Sequence, residues 1–283
     1  MLSTEYHLFR AKFIKPHQRN LFDQNITASE LMKSAIDEKP SSELRKGYHW
    51  HIGNIHFFNN DTGYFAIGRT TTLSIEKFDE ITGNFTEEET ESSPYTYCVF
   101  DASIGLIGIA KKTNLAPTTQ GIANKIEKLF SLTSGVIENN ITVEIRPIPD
   151  PDGFISAINR AYRVLKFTAT FRGPNPFDAD EYFQKPLSTY ASVANASNGR
   201  TIIYGDDLNR EVLTEVTKSS AATGNEASAR IQTSQKQKPT TVNLKGNPIK
   251  RKFSEGSTPD FILSDLQHQY VKVRKHDEDY KYR

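Results

Sequence analysis

Between Gly47 and Ala110 the chain alternates apolar and polar side chains with period two, and clusters of turn-forming residues interrupt the alternation. That pattern restricts the fold more than any other in the sequence. Successive side chains of a strand face opposite ways, so such runs build a sheet with one buried face, and tight turns make sequential strands antiparallel. Residues 48–58 and 63–73 read as two strands joined through Asn59-Asn60-Asp61-Thr62-Gly63, and residues 95–100 and 106–110 as a second hairpin around Asp101-Ala102-Ser103-Ile104-Gly105. Between the hairpins, residues 76–93 hold seven acids (Glu76, Asp79, Glu80, Glu87, Glu88, Glu89 and Glu91) against the single Lys77. This stretch reads as a polar connection. The whole region is expected to be a meander sheet.

Residues 4–14 read as a first strand, with Tyr6, Leu8, Phe13 and Ile14 as its apolar set. A helix follows from Thr27 to Ile36, capped by Thr27 or Ser29, with Leu31, Met32, Ala35 and Ile36 on one face, and Pro40 with two serines ends it. Pro117 opens another helix whose Ile122, Ile126, Leu129 and Phe130 share a face; it is expected to cover the sheet. After residue 140 the order strand 141–148, helix 152–162, strand 164–172 reads as the start of a parallel or split βαβ unit. A helical stretch over 178–196, a short strand at 201–204 and a helix over 206–222 come next. Asp206 or Asp207 would cap that last helix and Gly224-Asn225 would stop it. Strands at 228–234 and 240–245 follow, and Tyr270 opens a last strand ahead of a frayed tail. The expected class is α+β: an antiparallel meander sheet with a covering helix over residues 1–138, then an α/β lobe with a basic segment over 139–283.

A chain of 283 residues suits two such lobes. Its net charge of +1 gives no global attraction to nucleic acid or membrane, so electrostatic function must come from local patches. Cys98 is the only cysteine and lies in the strand-like run Tyr95-Thr-Tyr-Cys-Val-Phe100, which points to a buried structural thiol in a reducing compartment. No apolar run reaches the length of a membrane span, and the N-terminus has no export-signal pattern, so a cytoplasmic protein without a membrane partner is expected.

His49, His51 and His56 lie within eight residues, and imidazole is a common metal ligand. On a regular strand His49 and His51 share a face while His56 points the other way unless a bulge intervenes. An exposed polar strand face, with Trp50 and Ile52 turned inward, is therefore expected, and no metal or other cofactor. No P-loop, dinucleotide-binding glycine motif, nucleophile elbow, H-E-x-x-H or paired C-x-x-C appears. Gly105 and Gly108 lack the following helix that a phosphate cradle needs. Glu144 with Arg146, or Asp101 opposite Glu144, are arrangements a metal-dependent nuclease or other hydrolase uses, but surface charge is the expected reading and no catalytic residue is assigned.

The strongest compositional signal runs from Ala227 to Ser254. It holds Arg230, Lys236, Lys238, Lys245, Lys250, Arg251 and Lys252 and no acid, a local charge of +7. Ser, Thr, Asn and Gln interleave, as in surfaces that track a phosphate backbone without reading bases. Paired strands at 228–234 and 240–245 would carry the first four cations, and the last three would extend the patch. Lysines that guard a solvated sheet edge are the plainer explanation. The partners compatible with this segment are nucleic acid, an acidic protein, or the 76–91 stretch of a second copy. The corresponding functions are a binding or regulatory protein, and a self-assembling structural subunit.

One resemblance adds to this reading. The hairpin followed by Tyr97-Cys-Val-Phe-Asp101 and Gly105-Leu-Ile-Gly-Ile109, the covering helix, Ile145-Arg-Pro-Ile148, Phe171-Arg-Gly-Pro-Asn-Pro176 and Gly224-Asn225 make a pattern over residues 45–250. It resembles that of uncharacterised bacterial proteins encoded in antiphage defence loci and mobile elements. The resemblance implies an accessory or sensor subunit acting with a partner encoded nearby, and no particular reaction.

Overall fold

The computed structural model describes residues 3–15, 26–172, 183–194, 196, 198–244 and 246–274. Strand β1 (Ser3–Ile14) is followed by helix α1 (Ala28–Asp37). Thr27 caps α1 reciprocally: its hydroxyl accepts from the Glu30 amide at 3.2 Å, and the Glu30 carboxylate accepts from the Thr27 amide at 2.7 Å. Ser29 lies inside the helix and donates to Asp61 at 2.9 Å. Then come β2 (Ser41–Arg45), β3 (Tyr48–Phe57), β4 (Thr62–Asp79), β5 (Asn84–Ser92), β6 (Tyr95–Asp101) and β7 (Leu106–Ala110). Helices α2 (Thr119–Phe130) and α3 (Ser134–Glu138) lead into β8 (Thr142–Pro147), α4 (Asp152–Arg160), β9 (Arg163–Arg172), α5 (Gln184–Val193) and β10 (Asn198–Tyr204). The described chain closes with α6 (Arg210–Ala222), β11 (Ala227–Gln232), β12 (Thr240–Asn243), β13 (Lys250–Ser254) and α7 (Pro259–Arg274).

Two antiparallel sheets define the class as α+β. The larger runs β13-β1-β7-β6-β4-β3-β2, with β5 paired to β4 and β8 paired to β1. The smaller runs β10-β9-β11-β12. On one face of the large sheet Phe9, Phe13, Trp50, Phe65, Phe100 and Ile107 pack under α1 and α2, whose Leu31, Met32, Ile126 and Phe130 complete the first core. On the other face Tyr6, Leu8, Val99 and Leu106 join a second core with α4, α6, α7 and the inner face of the small sheet.

Several sequence expectations are corrected. Residues 76–93 form no loose connection: β4 continues to Asp79 and returns as β5, nine cross-strand pairs from Thr71↔Ser92 to Asp79↔Asn84. Leu73, Ile75, Thr86 and Thr90 keep the strand period there, and Gly83 turns the chain at φ 70°. No parallel βαβ unit forms, because β8 pairs antiparallel with β1 in the large sheet while β9 lies antiparallel between β10 and β11 in the small one. The strand expected from Tyr270 is the last turn of α7: Leu263, Leu266, Tyr270 and Val273 recur at three- and four-residue steps and are buried, so the helical period governs. Helix α6 starts at Arg210 under an Asn209 cap, and Asp207 instead accepts from the Val164 amide at 3.0 Å. Helix α5 starts at Gln184, and the earlier part of that expected helix lies outside the described residues. Strand β2 begins at the two serines that, from sequence, only end α1.

Candidate binding face on the small sheet

Strand β9 reads Lys166-Phe-Thr-Ala-Thr-Phe171, a strict alternation. Phe167 and Ala169 turn inward with Ala227, Ala229 and Ile231 of β11 onto Phe154, Ile158 and Leu213 of α4 and α6. Burying that face leaves the opposite one open. Pairing then arranges the open face in rows. Tyr204, Lys166, Arg230 and Thr241 lie side by side across the four strands. Next to them run Ile202, Thr168, Ser228 and Asn243, and beyond these Arg200 stands beside Thr170. Lys166 Nζ lies 5.3 Å from the centroid of the Tyr204 ring, and that ring is 71% exposed.

Lys166 and Arg230 are direct cross-strand neighbours, and like charges in that relation destabilise a sheet. The three rows contain three cations against one acid, the exposed Glu226, which completes the third row beside Thr170: its amide donates to the Thr170 hydroxyl and its carbonyl accepts from the Thr170 amide, both at 2.9 Å. A fold that sets Lys166 and Arg230 together on a hydroxyl- and amide-rich surface, with its one carboxylate two rows away, has the chemistry of an anion-binding face.

The end of this face that carries Arg200 and Thr170 opens into a cleft whose far wall is the end of β8. One part, of about 370 Å³, is lined by Arg146, Thr168, Thr170, Arg200, Ser228 and Asn243 among others. An adjoining part of about 440 Å³ shares Arg146, Thr170 and Arg200 and reaches Asn198. Arg146 is held by Glu127 at 3.4 Å and Glu144 at 3.7 Å, which partly offsets its charge. Gly224, at φ 64°, lets the chain pass Arg146 closely, since a Cβ there would stand 2.8 Å from the Arg146 Cβ. Beneath the cleft the buried Lys12 ammonium donates to Asn225 Oδ1 at 3.3 Å, and Asn225 donates to the Thr223 hydroxyl at 2.9 Å. These bonds fix the floor of the cleft.

The sequence-predicted cations divide. Arg230 is on the open face, and the exposed Lys236 and Lys238 lie in the turn that leaves β11 at the Lys166–Arg230 end. Lys245 lies outside the described residues. Lys250, Arg251 and Lys252 do not extend this patch: they form β13, the edge strand of the large sheet beside β1. There Arg251 makes two bonds to Asp265, at 2.8 and 2.9 Å, and Lys252 and Lys250 stand opposite Glu5 and His7. Lys166, Arg200, Thr168 and Tyr204 also belong to this face and are not apparent from the sequence as its members. Their signal was the alternation of β9, which marks one face as polar without showing which strands lie beside it.

The other candidates separate as well. A bulge between Gly53 and His56 shifts the register of β3, and Asn54 within it takes φ 47°. Ile55 and Phe57 then face the same core as Trp50 and Ile52, so His56 joins His49 and His51 on the opposite face. His49 and His51 stack at 6.5 Å, while His56 packs on Tyr64 and Phe58. Among the described residues no group of three or more His, Cys, Asp or Glu side chains is gathered closely enough to hold a metal ion. Asp101 accepts from Ser103 and Gln267, and β7 and β1 separate its strand from Glu144. Cys98 is fully buried, and burial pushes its thiol pKa up.

The fold and this face define an α+β protein of two antiparallel sheets with a cationic open surface on the smaller. No family model and no curated protein matches the chain. Among the described residues no helix is long and apolar enough to cross a membrane.

Proposed function

We propose that this chain is a non-catalytic nucleic-acid-binding protein whose contact surface is the open face of the small sheet. The observation that carries the reading is the adjacency of Lys166 and Arg230 on a face where cations outnumber the single carboxylate of Glu226, continued by Arg200 at the cleft and by Lys236 and Lys238 in the turn. A phosphate backbone removes the repulsion between those cations, and Thr168, Thr170, Ser228 and Asn243 add hydrogen-bonding groups. The exposed Tyr204 ring beside Lys166 gives a base a surface to stack on, which favours a single strand over a duplex. Sequence preference is weak, because hydroxyls and amides on a flat sheet grip phosphates and sugars more than base edges. An accessory role in defence, as the resemblance implies, fits a binder that leaves the chemistry to a partner.

The test is a set of binding titrations on single-stranded DNA, RNA and duplex DNA at several salt concentrations. It compares the wild type with a Lys166→Ala/Arg200→Ala/Arg230→Ala variant and with a Lys250→Ala/Lys252→Ala control. The first variant is expected to weaken binding on all sequences alike and to flatten the log–log salt slope by about two units, near 0.7 per lost single-strand contact. The control is expected to keep the wild-type slope. If the wild type binds none of the three at low salt, or the control loses as much as the triple variant, the reading is wrong.

A further inference from the structure

Beyond Thr70 strand β4 leaves the sheet. Its pairing with β3 ends at Thr70 and with β6 at Gly68, and from Thr71 to Asp79 its partner is β5. The two form a free-standing ribbon about 30 Å long, from the usual rise per residue. A lone two-stranded ribbon is marginal in water unless something packs on it. This one exposes Phe85 at 81%, Phe78 at 54% and, at its tip, Ile81 at 96%.

Its charges are sorted by face. Cross-strand pairing puts Glu76 opposite Glu87, Ser74 opposite Glu89 and Thr72 opposite Glu91, so four glutamates share one face with the Phe78–Phe85 ring pair at 5.1 Å. The ribbon's single lysine, Lys77, is on the other face, bonded to Glu88. Glu76 and Glu87 are direct like-charged neighbours, as Lys166 and Arg230 are on the small sheet. The same chain thus presents two surfaces of opposite sign, each repulsive within itself. Each also carries exposed apolar groups, Phe78 and Phe85 on one, Tyr204 and Ile202 on the other.

We infer that the acidic face of the ribbon docks on the cationic open face of the small sheet of a second copy of this chain. Docking sets Glu76, Glu87, Glu89 and Glu91 against Lys166, Arg200, Arg230 and the Lys236–Lys238 turn, and the phenylalanines against Tyr204. A reciprocal exchange of ribbons about a two-fold axis makes the contact twice and closes the assembly. Each contact covers about 300 Å² per side, so the pair buries about 1,200 Å² in total, at the low end of stable interfaces. The association is therefore weak and salt-sensitive. It occupies the face assigned above to nucleic acid, but it does not rest on that assignment.

The test is the mass of the full chain in solution, without nucleic acid, over a concentration series at low and high salt. Two charge reversals accompany the wild type: Glu76→Lys/Glu87→Lys/Glu89→Lys/Glu91→Lys on the ribbon, and Lys166→Glu/Arg200→Glu/Arg230→Glu on the sheet. The wild type is expected to associate at low salt and to dissociate at high salt. Each variant alone sets like charge against like and is expected to associate at least tenfold more weakly. An equimolar mixture of the two variants restores both contacts and is expected to associate again, which also shows that both are folded. The inference is overturned if the wild type is monomeric throughout, if its association survives either reversal, or if the mixture fails to recover it. Loss of nucleic-acid binding alone leaves it standing.

Discussion

At the scale of single residues, position on one or other face of the large sheet decides what each side chain can do. Gly108 of β7 lies beneath α7, and a Cβ there would collide with Leu266 Cδ1 and stand 3.0 Å from Val99 Cγ2. Its role is clearance for the helix. Gly108→Ala is expected to destabilise the protein by about 1–3 kcal/mol, the usual cost of overpacking. In a Leu266→Ala background the same change should cost less, because the obstructing methyl is gone. Urea unfolding of the four proteins of that cycle checks it, and equal costs in both backgrounds would sink the clearance argument. His51 lies between β2 and β4, with Nδ1 2.8 Å from the Ser41 hydroxyl and Nε2 3.0 Å from that of Thr70. Partial burial, and then His49 beside it, hold its pKa below the ordinary 6.5. The unfolded chain therefore takes up the proton first as pH falls. The stability His51 contributes is intact above about pH 6.5 and declines below it until the folded pKa is passed. His51→Gln should flatten the fall in thermal midpoint over that window. A variant with the wild-type slope would show that other groups set it.

At the scale of elements, legibility in the sequence followed locality. The α1 capping box, the β3–β4 and β6–β7 hairpins and the apolar stripe of α2 are set by neighbours within a few residues, and they stand where periodicity and turn chemistry put them. The failures share a different cause. Assigning β8 to the sheet of β1 required knowing that Lys12 and Glu144 are cross-strand neighbours, a contact no local pattern encodes. Tyr270-Val-Lys-Val alternates as a strand would, and only burial of Leu263, Leu266 and Tyr270 on one side of a helix overrides it. Only a regular strand turns His56 away from His49 and His51, and one bulge residue reverses the parity of everything after it. In the acidic ribbon charge density hides the alternation, so the segment reads as a polar connection although it pairs as two strands. The candidate site was legible in part for the same reason. The run from Arg230 to Lys238 is contiguous and visible as composition, whereas Lys166 and Arg200 reach Arg230 only through the pairing of three strands.

At the scale of the whole molecule, the two sheets are joined by a core that neither owns. Residues before position 138 supply β1 to β7 of the large sheet, and residues after it supply β8, β13 and α7 to that same sheet or its surface. The second core combines Tyr6, Leu8 and Leu106 of the large sheet with Phe167 and Ala229 of the small one. Leu263, Leu266 and Tyr270 of α7 complete it. The fully buried Arg10 of β1 donates to the Tyr270 hydroxyl, a bond that reaches from the first strand to the last helix. Removing either sheet would expose the apolar side chains of this shared core, and burying them together couples the parts. The chain is therefore expected to unfold in a single transition, with calorimetric and van't Hoff enthalpies in agreement. Fragments 1–138 and 139–283 expressed separately are expected to lack fixed tertiary structure: the first loses β8, β13 and α7, and the second loses the strands against which those elements pack. Scanning calorimetry of the whole chain and near-ultraviolet circular dichroism of each fragment check this. Two resolved transitions, or a fragment with native-like dichroism, would mean that the shared core is a contact between independent domains.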